Sequence, residues 1–257
     1  MTNLHERAEA VLDQMRAHRS VRHFLAEELP DADLATACAA AQMASTSSYI
    51  QAYSALRVRD PEVRARLAEL TGGQPQVAEA GAFLVILGDV RRHSLLAKEA
   101  GRGLARNLES FLLAVIDASL FAQNLALALE SLGYGICYIG GLRTKLPEAD
   151  TLLQLPDDVF PLFGLCAGRP AELAPDDPAT PQHRPRLPLE AMLFNDHYPS
   201  DTDMLAAIGT FDAAVAEHYA ARNKPGFNWS GGLVRRLEKP LREHLARYYH
   251  SKGARLE

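Results

Sequence analysis

Three short stretches of the sequence concentrate groups that bind anions. His18-Arg19-Ser20-Val21-Arg22 sets two guanidinium groups, an imidazole and a hydroxyl within five residues. Ser45-Thr46-Ser47-Ser48 supplies four hydroxyls in a row, and His183-Arg184-Pro185-Arg186 repeats the His/Arg pattern further along. Arginine presents a planar fork that matches phosphate oxygens, and a hydroxyl adds a neutral donor, so the chemistry these stretches share is recognition of a phosphate. Each arginine has an alternative use in a surface ion pair, which contributes little. The hydroxyl run has one too, as a solvated linker, because consecutive Ser and Thr compete with the helix backbone for hydrogen bonds.

What accompanies these donors narrows the chemistry. No G-x-S-x-G elbow is present, and Gly133-Tyr134-Gly135 runs into an apolar, strand-like segment instead of a phosphate-cradling helix, which argues against hydrolase and Rossmann readings. The nine histidines have no metal-binding spacing: His18 with His23 and His244 with His250 lack a third nearby ligand, so no metal site is expected. Phosphate donors, glycines at strand ends where a flat ring can approach the backbone, and no acid, base or nucleophile in a catalytic context together point to a bound cofactor that carries the reaction.

Bulk composition agrees. A formal net charge of −5 gives no general reason to bind nucleic acid or an anionic membrane, so neither is an expected partner. Cys38, Cys137 and Cys166 sit among apolar or small residues without a C-x-x-C pair, as buried thiols in a reducing cytoplasm would. The N-terminal stretch carries charges where a secretory signal needs an apolar core, and the most apolar window, 108–129, is interrupted by Asp117, Gln123 and Asn124.

The elements that must position these groups follow from periodicity. Apolar residues at helical spacing predict a helix over 4–16, so His18–Arg22 lies at a helix exit or in a loop. A second helix starts after Pro30 and runs to about Met43. Strands are expected at 54–59, 81–88, 134–142 and 159–168, with a charged helix from Pro61 ended by Gly72-Gly73 and a short helical stretch within 144–158. Residues 104–132 form a helix apolar on more than one face, which must be buried on both sides, in a core or a subunit interface. Residues 170–188 hold six prolines and read as an extended crossing, and two further helices are expected at 204–222 and 233–249. The class is α+β: a core over 1–200 followed by a C-terminal helical extension over 201–257.

The ordered set of motifs resembles one family. HRSVRHF, the serine-rich loop followed by Tyr49-Ile50-Gln51, TGGQ at 71–74, AQNLALALESLGYG at 122–135, YIGGLR at 138–143, PLFGLCAGRP at 161–170 and RPRLP at 184–188 together resemble the FMN-dependent nitroreductase superfamily, nearest its oxygen-insensitive NADPH nitroreductase and NADPH–FMN oxidoreductase branch. The resemblance implies a mostly antiparallel sheet flanked by helices, in an intertwined homodimer with FMN at the subunit interface. It places His18, Arg19, Ser20 and Arg22 on the flavin phosphate, ribityl chain and pyrimidine edge, and brings Thr46, Ser47 and Ser48 across from the partner with Gln74 and Gln76. Tyr138, Ile139, Gly140 and Gly141 would lie along the ring, and Arg184 and Arg186 would close over the phosphate. Arg22 and Gln74 are the candidates to support the ring as it accepts hydride, with phosphate or structural contacts as their other reading. For Gly140 and Gly141 the other reading is an ordinary strand-ending turn.

The activity implied is reduction of nitroaromatics, quinones or related acceptors by NADPH or NADH through FMN. A flavin reductase that supplies reduced FMN, a flavin-destroying enzyme and a non-catalytic flavin binder are the alternatives. The tail departs from the family pattern. Members that prefer NADPH carry several arginines between the last two helices, whereas residues 222–230 here are shorter and less charged. Arg222, Lys224 and Lys239 are the candidate coenzyme or substrate contacts there, or else a solvated helix end.

Overall fold

In the computed structural model, which describes residues 4–173 and 183–255, Tyr53–Val58 (β1), Ala82–Asp89 (β2), Gly135–Ile139 (β3) and Val159–Gly168 (β4) form one sheet in the order β1-β2-β4-β3. All three pairings are antiparallel. β2 is buried at every position because both its faces and both its edges are covered, which is why it reads as a continuous apolar run and not as an alternating one.

The helices are Leu4–Arg16 (α1), Asp31–Ala41 (α2), Pro61–Leu70 (α3), Gln76–Glu79 (α4), Arg91–Glu99 (α5), Leu108–Ser131 (α6), Leu146–Leu153 (α7), Asp201–Ala220 (α8), Trp229–Leu237 (α9) and Leu245–Ser251 (α10). α6 opens on a capping box: the Asn107 side chain accepts from Ser110 N, and Ser110 Oγ accepts from Asn107 N. It buries Ala114, Asp117, Ala118, Phe121, Ala122, Leu125, Ala126 and Leu129. Each of the large side chains in that set contributes roughly 1.5–3 kcal/mol of burial. Helix and sheet meet closely at Gly88, where an added Cβ would come 3.1 Å from Ala114 Cβ. The opposite face of α6 is open: Leu108, Leu112, Ile116 and Leu120, spaced four apart, are 41–51% exposed. By length and composition α6 is apolar enough to cross a bilayer, but one side of it belongs to the core cluster over the sheet.

Several boundaries differ from the sequence expectation. The third strand ends at Ile139, not Leu142, because Gly140–Lys145 turns into a 3₁₀ segment held by Arg143, whose Nη1 donates to Leu162 O. The helix expected over 233–249 is two helices, α9 and α10. Pro240 has no N–H to give and pushes residue 239 away from helical geometry, which breaks the run. α4, a single turn, and α5, whose Arg91–Glu99 sequence carries no apolar stripe, gave no periodic signal. The proline-rich crossing over 170–188 falls partly outside the described residues.

The chain forms two compact units, Met1–Pro181 with His244–Glu257, and Gln182–Glu243. In the first, the segment after α10 is locked to the start of β4 through Asp158. That carboxylate is fully buried and takes two hydrogen bonds from Arg106, Nε to Oδ1 and Nη2 to Oδ2, both at 2.8 Å. Asp158 N donates to Lys252 O at 2.8 Å and Val90 N donates to Asp158 O at 3.0 Å. Gly253, at φ 103°, leaves room for the carboxylate, since a Cβ there would lie 2.6 Å from Asp158 Oδ1. In the second unit α8 and α9 form a hairpin. Asp212 Oδ1 accepts from Ser230 N at 2.9 Å, and Phe211 meets Trp229 edge-on at 5.4 Å.

Candidate functional site

β3 gathers most of the predicted site. Its outer edge is taken by the His18–Arg22 stretch: Ser20 bridges Ile136 in parallel, and Val21 N donates to Ile136 O at 2.9 Å. Val21 is buried, and its side chain fills the space that a Cβ on Gly135 would occupy, with contacts of 2.6–2.9 Å. The glycine at 135 therefore admits this edge segment. Arg19 and Arg22 on either side of Val21 are exposed. Burial pushes the Cys137 thiol up, and the Arg22 guanidinium partly opposes that shift. His18 is tied back to α6, its Nδ1 2.7 Å from Glu130 Oε1.

The C-terminal end of β3 meets the Thr71–Gln76 segment. A Cβ on Gly141 would lie 2.2 Å from Thr71 O and 2.4 Å from Gln74 Nε2. Gln74 Nε2 donates to Thr71 O at 2.8 Å, and Gln76 Nε2 donates to Gln74 Oε1 at 3.1 Å, so the Gln74 amide is oriented from both ends and one of its two protons is committed to Thr71. Arg64 fixes the same segment from below: its Nε donates to Val77 O at 3.2 Å and its Nη2 to Ala80 O, and burial lowers its pKa. The glycine pair divides its labour. Gly141 is filled by the chain's own atoms, whereas a Cβ on Gly140 would meet only Arg143 Nη2 at 3.4 Å, leaving that side free for a ligand. Ile139 is buried. Tyr138 is half-buried and edge-on to Phe163 at 5.4 Å, and burial drives its phenol well above the usual range.

Thr46–Ser48 is not part of this gathering within one chain. Ser47 N donates to Asp117 Oδ1 at 3.1 Å, and Asp117 lies thirteen residues before Glu130 on α6. The anchor of the hydroxyl loop and the anchor of His18 are thus about 20 Å apart along the helix axis. A phosphate held by His18–Arg22 is out of reach of the same chain's Ser47.

Arg184, Arg186, Arg222, Lys224 and Lys239 all belong to the second unit, and all are exposed. There Arg222 Nη1 donates to His218 O at 2.7 Å, and partial burial together with the Arg222 and Arg184 charges lowers the His218 pKa. Among the described residues no group of three or more His, Cys, Asp or Glu is placed to hold a metal ion.

Sequence reasoning did not single out Asp117, Arg64, Arg92 or His93. Of these only Asp117 carried a signal, as the one carboxylate in the middle of the most apolar helix of the chain, away from Glu109 and Glu130 near its ends.

Comparison with known proteins places the whole chain in one family. The model of the Nitroreductase family matches residues 15–169, and that of the Nitroreductase family, C-terminal domain, matches residues 184–257. An FMN reductase (NADPH) of Bacillus subtilis is 40% identical over 242 residues, covering 92% of this chain and 94% of the relative. An oxygen-insensitive NADPH nitroreductase of Salmonella typhimurium is 39% identical over 245 residues, covering 94% and 97%. The solved structure of the NfrA1 nitroreductase from B. subtilis superposes with a TM-score of 0.88 at 38% identity, covering 95% of this chain and 98% of that one. The motifs that gather on β3 therefore lie inside a match that runs along nearly the whole sequence, and the chain belongs to the nitroreductase family.

Proposed function

We propose that this chain is an FMN-dependent NAD(P)H oxidoreductase of small-molecule acceptors, working in the cytoplasm. The observation that carries the reading is β3, which has an exposed cation pair along its edge at Ile136 and a fixed amide and an open glycine face just past its C-terminal end. These residues fit a flavin mononucleotide. Arg19 and Ser20 suit a phosphate and a polyol chain, Gly140 leaves backbone accessible to a flat ring, and Arg22 and Gln74 suit its pyrimidine edge. A bound FMN supplies hydride transfer from NAD(P)H to a nitroaromatic, a quinone or free flavin, each taken in turn, so ping-pong kinetics are expected. The chain's own part is electrostatic: Arg22 and Gln74 hold a positive charge and an oriented N–H where negative charge develops on the ring, and they do so before the reaction begins.

Two further observations support a homodimer as the working unit. The hydroxyl loop is anchored about 20 Å from His18 along α6, which favours Thr46–Ser48 of a second copy as the remaining phosphate donors. The apolar stripe Leu108–Leu112–Ile116–Leu120 offers the surface on which that copy packs. Arg184 and Arg186 are assigned to the phosphate, and Arg222, Lys224 and Lys239 to the coenzyme.

Purified protein should bind FMN, and mixing the yellow complex with NADPH in a stopped-flow instrument should bleach it; absence of FMN binding overturns the reading. Arg22→Ala should raise the FMN Kd or slow reduction by roughly ten- to a hundredfold, the worth of a charge-assisted hydrogen bond of about 1.5–3 kcal/mol. Unchanged values for both would return Arg22 to the surface. Equal kcat/KM for NADPH and NADH would remove Arg222 and Lys224 from the coenzyme site. Rates with a nitroaromatic, a quinone and free FMN separate a nitroreductase from a flavin reductase.

A further inference from the structure

The hydroxyl loop is held in a conformation that its own residues disfavour. Ser48, Tyr49 and Gln51 have φ of 48°, 59° and 53°, three left-handed residues in four positions with no glycine among them. Such backbone persists only where the surroundings over-determine it. Here the surroundings are three side chains from α5 and α6. Asp117, fully buried, accepts from Ser47 N at 3.1 Å through Oδ1 and from Ala52 N at 3.0 Å through Oδ2, closing the loop at both ends. Arg92 Nη2 donates to Gln51 O at 3.0 Å and to Tyr53 O at 2.6 Å. His93 Nε2 lies 2.8 Å from Ile50 O. Five backbone groups of residues 47–53 are thus tied inward, while the side chains of Ser47, Ser48 and Tyr49 are exposed.

We infer that Asp117, Arg92 and His93 are positioning residues for the flavin site. They set the backbone of the donor loop before any ligand arrives, so that affinity for FMN is governed from two helices that do not touch it. The inference rests on the reading above, in which Thr46–Ser48 serve the flavin of a partner subunit. It also assigns which groups face the ligand. Ser47 N is committed to Asp117 and so faces away from the ligand, which leaves the hydroxyls of Thr46, Ser47 and Ser48 as the side-chain donors to it. A carboxylate is required at 117 because it offers one oxygen to each of two N–H groups; an amide there turns its NH₂ toward one of them and loses that bond.

The test uses the full-length dimer and two variants. Arg92 is exposed, so Arg92→Ala should fold with an unchanged melting temperature, raise the FMN Kd at least tenfold, speed hydrogen exchange at residues 50–53 of the apoprotein and alter the visible circular dichroism of bound flavin. Arg92→Lys, which keeps an N–H donor, should recover part of the affinity. Asp117→Asn should act in the same direction and more strongly. If wild type binds FMN and both Arg92→Ala and Asp117→Asn bind it equally well with the same flavin spectrum, the positioning role is overturned while the flavin reading stands. If wild type itself takes up no FMN, the flavin reading falls, and this inference with it.

Discussion

Gly141→Ala is expected to cripple the flavin site, and Gly140→Ala to leave the protein folded. The added methyl at 141 would sit 2.2 Å from Thr71 O and 2.4 Å from Gln74 Nε2. Thr71 O is backbone, at the end of α3, so it cannot step aside as the tip of a long side chain would. Overpacking of this kind costs about 1–3 kcal/mol, and the strain falls on the one amide that β3 shares with the Thr71–Gln76 segment. The expected result is a lower melting temperature together with a loss of FMN binding beyond tenfold, because the Gln74 amide is pushed from its place beside Gly141. A methyl at 140 meets only Arg143 Nη2, at 3.4 Å. That variant should melt like wild type yet bind FMN more weakly, since the only thing it obstructs is the ligand's side. Calorimetry and flavin titration of the two variants check the assignment; equal affinity in Gly140→Ala and wild type would show that no ring lies over that glycine.

The second large effect is on stability. Removing Arg106 leaves the Asp158 carboxylate buried and unpaired, a change that typically costs about 3 kcal/mol or more. For a chain of this size that is a fall in melting temperature of roughly 6–12 °C. The pH dependence gives the cause away. The Arg106 guanidinium holds the Asp158 carboxyl below its usual range. The pair's contribution is therefore complete above the unfolded value of about 3.9 and is lost as the pH falls through the lower folded value. In Arg106→Ala the carboxyl loses its main partner, keeping only Ser94 and the Arg91 charge, so burial raises its pKa and protonation relieves the penalty. The gap in melting temperature between wild type and variant should be widest near neutral pH and narrow toward pH 3. A gap that stays constant over that range would mean that Arg106 acts through packing alone.

How far the site could be read from the sequence depended on the distance over which each contact acts. His18–Arg22 was legible as a local pattern of charge and Gly140-Gly141 as glycines at a strand end, whereas Gln74, Gln76 and Tyr138 entered only through the family resemblance. Their placement along one strand was not, because it depends on an edge segment entering beside Gly135 and on a carbonyl filling the space at Gly141. The hydroxyl loop was legible as donors, but its support was hidden: Asp117 acts on Ser47 from 70 positions away in the chain, and periodicity carries no information about such pairs. The sheet was read well where strands are continuous apolar runs, as in β2 and β4. α5 escaped because its burial is slight and its sequence polar, and one helix was read across Pro240 because the apolar spacing on either side happens to stay in phase.

The return of the chain after α10 bears on how the protein is made. Tyr249, through its hydroxyl on Pro161 O, and Lys252, through its carbonyl on Asp158 N and its ammonium on Leu155 O, complete a unit whose other residues lie before position 182. On the ribosome this unit is therefore completed only when residues 244–255 emerge, after all of α8 and α9 have been synthesised. Until then the start of β4 waits with its closing contacts unmade, and a nascent chain halted at residue 240 should be protease-sensitive around Asp158 in a way that the released protein is not.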